Sequence, residues 1–346
     1  MNTPPIMLFH RDFRGYSGGH GKVFDYFNHA LAGGWDARVY FTPQSLHDAS
    51  NPWLAMPERV LDRYAPERAD ALFIGGMDWL ALGDACAATG KPVFNLIQHV
   101  RHGDPQHPLY AFLTRPAQRI CVSAPVAAAI TASGRINGTV TVIEAALNLP
   151  HAGVAGTRET VFIDGIKQPA LAGELAAVLR AEGRSVVLCD TPIARTRYLA
   201  AMAQARVAVT LPHASEGFYL PGLEAMALGC ATVVPDCVGN RAYLVAGSNA
   251  LAPTLHCAAL ADAVRALDDP VLYATLRDAG AATAARFTLA RERAAFLRLA
   301  EPQRNSVPLA GATSHSPACR APVPRSPADC SANAATRLRC SNRCRF

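Results

Sequence analysis

Short apolar runs alternate with amphipathic stretches along most of the chain. "IMLFH" at 6–10 reads as a buried strand. After a glycine-rich turn (Gly15, Gly18, Gly19, Gly21), Val23, Phe27, Ala30 and Leu31 recur at helical spacing until Gly33-Gly34 stops the helix. "DARVYF" at 36–41 is the next predicted strand, and a strand–helix–strand unit of this kind implies a parallel sheet. Further strands are predicted at 69–76, 92–98, 118–124 and 139–147, followed at 148–160 by a segment with the glycine, proline and polar content of a linker. The alternation then restarts with strands at 160–165, 185–190, 206–211 and 231–236. Helices are expected at 169–183, 195–205, 257–269 and 287–300. The pattern predicts an α/β protein of two doubly wound domains, 1–150 and 151–300, facing across a cleft. Ligands are expected beyond the carboxyl ends of the strands.

From residue 301 the pattern stops. Six prolines, many serines, four cysteines and seven arginines without periodicity predict a disordered tail over 301–346. That tail changes how the charge is read. The chain carries a formal +6, but the tail arginines face only Glu301 and Asp329, so the remainder is nearly neutral and no nucleic-acid footprint is expected. Half of the residues are hydrophobic, as a core-forming protein requires, and 3 lysines (Lys22, Lys91, Lys167) stand among 33 basic residues. The cysteines before the tail are scattered singly in apolar runs, which predicts buried free thiols. The first residues lack the signal-peptide pattern and no run of about 18 apolar residues exists. These features predict a cytoplasmic protein, with the basic tail as a candidate for peripheral membrane contact on the inner face.

The stretch with the most chemistry is "SEGFYLPGLEAMALG" at 215–229. Pro221 suits the first turn of a helix and Gly229 its end, so the loop before it delivers backbone N–H groups at a helix N-terminus, a site for phosphate oxygens. Glu216 and Glu224 flank that site. Carboxylates repel a bare phosphate but accept well from paired hydroxyls, and a nucleotide sugar carries a diol on each side of a diphosphate. The spacing therefore points to a nucleotide-sugar partner. In the first domain, His99, Arg101, His102 and His107 gather just past a strand end.

"SEGFYLPGLEAMALGCATVVPD" resembles the donor-site signature of retaining GT-B glycosyltransferases of the family 4 type (glycosyl transferases group 1), with Tyr219 in place of a glycine. "GNRAYLVAGSNALA" at 239–252 is similar to the segment that follows it, and "SGGHGKVFDYF" to the family's N-terminal glycine loop. The resemblance implies the GT-B fold of two Rossmann-like domains, with an acceptor-side N-terminal domain and a nucleotide-sugar-binding C-terminal one. It implies hexosyl transfer to a glycan or lipid-linked acceptor in cell-surface polysaccharide or lipopolysaccharide synthesis, with no cofactor and no metal. On the matching positions, Glu216 would hold the transferred sugar and Glu224 the ribose. Backbone amides of Phe218, Tyr219 and Leu220 would meet the diphosphate, with Gly18 and Gly19 approaching from the other domain. His99 and Arg101 would serve the acceptor side. One departure is plain: the family's strand-end arginine is replaced by Asp164-Gly165. Lys167 would then carry the diphosphate charge, alone or with Arg195 or Arg197. A catalytically degenerate binder and a sugar-nucleotide epimerase are the alternatives.

Overall fold

The computed structural model describes residues 3–82, 90–149 and 158–305, with side chains to 303. Helices and strands alternate as β1 (Ile6–Arg11), α1 (Gly18–Ala32), β2 (Asp36–Phe41), β3 (Val60–Leu61), β4 (Ala71–Gly75) and α2 (Trp79–Leu82). They continue with β5 (Val93–Ile97), β6 (Gln118–Cys121), α3 (Ala124–Thr131), β7 (Val140–Val142), β8 (Thr160–Asp164), α4 (Pro169–Ala181) and β9 (Val186–Cys189). The remainder is α5 (Arg195–Ala203), β10 (Ala205–Thr210), α6 (Leu220–Ala227), β11 (Ala231–Val233), α7 (Cys257–Ala266), α8 (Pro270–Ala284) and α9 (Leu289–Asn305).

Two parallel sheets result. The first has the order β3-β2-β1-β4-β5-β6-β7 and the second β11-β10-β8-β9. In each, the order reverses beside the first strand, at β1/β4 and at β8/β10, and such a reversal opens a crevice at the strands' carboxyl ends. The central strands β1, β4 and β5 are almost wholly buried, which is why they read as continuous apolar runs. Local signals set the helices. Ser17 caps α1 by accepting from the His20 amide, and Gly34, at φ 81°, ends the turn that follows it. Asp269 accepts from the amides of Val271 and Leu272 ahead of Pro270 to start α8.

Differences from the sequence-based expectations are local. Helix α1 begins at Gly18, so Gly18, Gly19 and Gly21 lie in its first turn and only Gly15 belongs to the preceding loop. Helices α2, α3 and α8 and the short strand β3 were not anticipated. Helix α9 continues to Asn305, five residues into the expected tail, and packs against the first sheet: Phe296 and Ala300 lie in the same apolar cluster as Phe73 and Phe94 of β4 and β5. The rest of the expected tail, including its cysteines, and Cys86 lie outside the described residues. The other five cysteines are free and buried, as expected. Among the described residues no helix is long and apolar enough to cross a membrane.

Where α9 returns, it meets α1 and the crossover from β7 to β8 through buried ions. Glu292 on α9 is 2% exposed. It accepts from Lys22 Nζ (3.0 Å), His29 Nε2 (2.9 Å) and the Ala146 amide (3.0 Å). Lys22 also pairs with Asp25 (2.8 Å) and donates to the Ala146 carbonyl (2.8 Å), while Asn148 donates to Asp25 (2.7 Å). Burial alone would raise the Glu292 pKa. The His29 hydrogen bond, the Lys22 charge and the Ala146 amide outweigh it and hold the pKa below the ordinary glutamate value.

Removing one partner of such a network strands the others in a low-dielectric setting. Glu292→Gln is expected to lower stability by about 3 kcal/mol at neutral pH, measured by denaturant unfolding. A depressed pKa contributes stability that is complete above the unfolded value of about 4.3 and is lost as pH falls through the folded value. The gap between wild type and Glu292→Gln should therefore narrow below about pH 4.

Candidate active site

In the second sheet, the loop after β10 carries the glutamates. Glu216 accepts from Lys167 Nζ, and Lys167 also stands over the Tyr219 ring at 5.1 Å from its centroid. Glu224, 2% exposed on the first turns of α6, is gripped from two sides by Arg195, the first residue of α5, with Nη1 to Oε2 at 3.0 Å and Nη2 on Oε1. The 239–249 segment braces this loop from behind. The Gly239 carbonyl accepts from the Tyr219 amide (2.9 Å), Tyr243 donates its hydroxyl to the Tyr219 carbonyl (2.5 Å), and Asn249 donates to the Tyr243 carbonyl (2.7 Å). Asp164 closes the floor at the end of β8, accepting from the Tyr198 hydroxyl (3.0 Å) and the Ile166 amide (3.3 Å). Burial pushes its pKa up to about 6 despite those two donors.

The first sheet supplies the opposite wall. Arg11, at the end of β1, donates to Asp78 (2.5 Å) and to His20 Nδ1 (2.7 Å), tying the start of α1 to the segment after β4. Burial and the Arg11 charge lower the His20 pKa to about 4, so its ring is neutral and accepts. In the first turn of α1 the Ser17 side chain and carbonyl take the amides of His20 and Gly21. Those of Gly18 and Gly19 are the donors that a helix start leaves to outside partners. The walls touch closely at Gly217: Ser123 Oγ donates to the Gly217 carbonyl (2.7 Å), and a Cβ on Gly217 would lie 2.0 Å from the Gln98 carbonyl oxygen. Between the walls is a cleft of about 660 Å³ lined by residues of both, among them Gly18, Gly19, Gln98, His99, Lys167, Arg195, Glu216 and Glu224.

Residues 162–269 match the family described as glycosyl transferases group 1. By sequence alone, no curated protein matches the chain. Several solved structures do. Anabaena HepE in complex with UDP and glucose superposes with a TM-score of 0.66 at 16% identity, covering 86% of this chain and 100% of that one. Sucrose-phosphate synthase from Thermosynechococcus elongatus gives 0.64 at 16% identity, with 88% and 100% covered. A glycosyltransferase from Rickettsia africae gives 0.66 at 10% identity, again with 88% and 100%. The fold is GT-B.

Within the GT-B cleft, Glu216, Glu224, Lys167, Gly18, Gly19, Phe218, Leu220, His99 and Arg101 all line one cavity, although they come from segments up to two hundred residues apart. Two expected residues do not belong there. Tyr219 has its amide on Gly239, its carbonyl on Tyr243 and a fully buried ring, so it supports the loop and has no amide to offer a diphosphate. Arg197 is exposed and lies outside the cleft, because two residues turn an α-helix by about 200° and Arg195 already faces inward. Arg241 pairs with Asp236 (3.1 and 2.7 Å) on the surface.

The histidines after β5 are largely accounted for by backbone capping. His99 Nδ1 accepts from the Arg101 amide (3.1 Å) and His107 Nδ1 from the Leu109 amide (3.2 Å). Burial, then the Arg101 charge, lowers the His99 pKa. Its neutral ring therefore carries the proton on Nε2 and presents a donor, not a base, to the cleft. Among the lining residues that had not been singled out are Tyr16, Gln98 and Gly217, the last as a point of contact. Gly217 stands inside the quoted signature, but its partner lies 119 residues earlier and no local pattern reveals it.

Gly217→Ala is expected to cost about 1–3 kcal/mol in unfolding free energy, since the new methyl group meets backbone. Gly19→Ala, whose Cβ would find ordinary contacts at 3.6 Å, should stay within about 1 kcal/mol of wild type. Asp164 gives a second test with the opposite pH sign from Glu292. Its folded pKa is raised, so wild-type stability falls as pH rises from about 4 through about 6. Asp164→Asn should therefore stabilise the protein at pH 7.5, by on the order of 2 kcal/mol relative to its effect at pH 4.5.

Proposed function

We propose that this protein is a retaining, metal-independent glycosyltransferase of the family 4 type. It moves a hexose-type sugar from a nucleotide-sugar donor to a glycan or lipid-linked acceptor in cell-surface polysaccharide synthesis. The observation that carries the reading is the arrangement at α6: two carboxylates flank its N-terminus, a cation stands on each, and the first turn of α1 lines the same cleft. A nucleotide sugar complements that arrangement, with a diol for each glutamate and a diphosphate for the cations and amides. The match of residues 162–269 to glycosyl transferases group 1 supports the same reading, as does the fold shared with a protein solved with UDP and glucose.

The chemistry asked of the cleft is charge stabilisation. The bond between the anomeric carbon and the diphosphate oxygen breaks, and a bond from that carbon to an acceptor hydroxyl oxygen forms on the same face. The acceptor proton passes to the departing phosphate. Lys167 and the helix-start amides hold the negative leaving group, Glu216 orients the sugar hydroxyls, and His99 donates from Nε2 toward oxygen atoms at the acceptor side. Arg101 stands on that side as well.

Asp164, a carboxylate where a cation would serve the diphosphate, favours a second reading, a binder without turnover. Kinetics separate the two. Calorimetric titration of the full chain with UDP, GDP, dTDP, ADP and CMP should find one preferred nucleotide. Glu224→Ala should weaken it by about 10- to 100-fold, the loss of hydrogen bonds to a charged group. Glu216→Ala should lower kcat by about 100-fold while changing donor affinity far less. Unchanged kinetics in both variants would remove the proposal, and firm binding with no turnover of any donor would favour the binder.

A further inference from the structure

The strand end that faces the cleft in the second sheet cannot supply a cation. Asp164 is buried, with its carboxylate taken by Tyr198 and Ile166. A Cβ on Gly165 would stand 2.1 Å from the Ala172 Cβ, so that position carries no side chain at all. Four cations line the cleft: Lys22, Arg101, Lys167 and Arg195. Lys22 is committed to Asp25, Glu292 and the Ala146 carbonyl in the buried network. Arg101 sits on the far wall, in the turn capped by His99. Lys167 and Arg195 remain for an anion on the second sheet's side.

Arg195 is placed for such an anion. Its guanidinium spans from Glu224 on one side to the ring of Tyr16 on the other, at 5.9 Å from the ring centroid. Tyr16 directly precedes Ser17, the cap of α1, and Arg195, Glu224 and the helix start at Gly18-Gly19 line the same cavity. It is a quarter exposed, against 2% for Glu224, and it lines the cavity. A guanidinium has five N–H donors. The pairing with Glu224 uses one on each terminal nitrogen, which leaves three. Burial works against its charge, but the hydrogen bonds and charge of Glu224 more than compensate and fix it as a cation.

We propose that Arg195 is a diphosphate-binding residue, reaching the phosphate oxygens from the start of α5 and taking the place of the cation that the β8 strand end lacks. The assignment rests on the nucleotide-sugar reading above. Glu224 then holds the guanidinium in position and accepts the ribose hydroxyls on its remaining lone pairs, so one ion pair serves both parts of the ligand.

The test is the affinity gained by adding the diphosphate: the ratio of dissociation constants for a nucleoside and its diphosphate. It is read with uridine and UDP, guanosine and GDP, and adenosine and ADP, in the full chain. Arg195→Gln alone would leave Glu224 buried without its partner, so the decisive comparison is Glu224→Gln against the double variant Arg195→Gln/Glu224→Gln. Glu224→Gln, whose amide oxygen still accepts from the guanidinium, should weaken nucleoside and diphosphate together and keep the ratio. The double variant should lower the ratio at least 10-fold, and Arg195→Lys should restore part of it. A double variant with the same ratio as Glu224→Gln overturns the assignment and reduces Arg195 to a brace for Glu224. If wild type binds none of the nucleosides or diphosphates, the nucleotide-sugar reading itself falls, and that outcome is distinct from the other.

Discussion

The cleft depends on a single buried carboxylate. Glu292, near the start of the last helix, is the point at which three separate segments meet: α1 through Lys22 and His29, the crossover through the Ala146 amide, and α9 itself. Each contact is modest alone, but a carboxylate at 2% exposure must have all of its partners, because unpaired buried charge is far costlier than a lost hydrogen bond. The consequence is positional. Lys22 lies one turn after Gly18 and Gly19, so the same network that receives the returning helix also fixes the helix start that forms the first wall. The Gly217 contact with Gln98 and Ser123 repeats the constraint at the cleft's mouth.

Within that frame the site is built from neutralised charges. Glu216 with Lys167 and Glu224 with Arg195 are opposite charges held close together. Such pairs are stable without ligand, since each carboxylate has its countercharge, and they still have hydrogen-bonding capacity left over on both partners. Asp164 fits the same economy of charge. With no cation against it in hydrogen-bond contact, it shifts its pKa upward instead, to about 6, and relies on Tyr198 and a backbone amide. Asp164 is thus a group in the cleft whose charge changes between mildly acidic and neutral pH, and its neighbours are what set that charge.

Much of this architecture was legible in the chain, for identifiable reasons. Parallel strands buried on both faces must be continuous apolar runs, and every predicted strand is present. The signature at 215–229 was legible because a helix start with Pro221 inside it and carboxylates on both sides is local chemistry. What failed to register was either blurred or non-local. Helix α8 buries only Leu276, Gly280 and Ala284, one large apolar residue and two small ones, which gives little periodic contrast. Arg197 and Arg195 could not be told apart without the phase of α5. Tyr219 looked like a loop residue with a free amide, and only the 239–249 segment folding over it explains why it has none.

The scarce lysines make the same point from the other side. Lys91 spends its ammonium on the carbonyls of Pro66, Glu67 and Ala69, holding a turn; Lys22 is locked in the buried network; Lys167 faces the cleft. Lys91 and Lys22 make geometries that suit a compact ammonium with several bonds, one built on backbone carbonyls and the other in a crowded ion cluster. Arg195 makes the contact that suits a planar fork, bidentate on a carboxylate with an aromatic ring at its flank. In a chain that uses arginine for most of its positive charge, lysine persists where the fork does not fit, and arginine at the cleft stands where two oxygens must be held at once. A diphosphate presents that same demand, paired oxygens at fixed spacing, so the geometry that lets Arg195 hold Glu224 is the geometry a phosphate ligand requires.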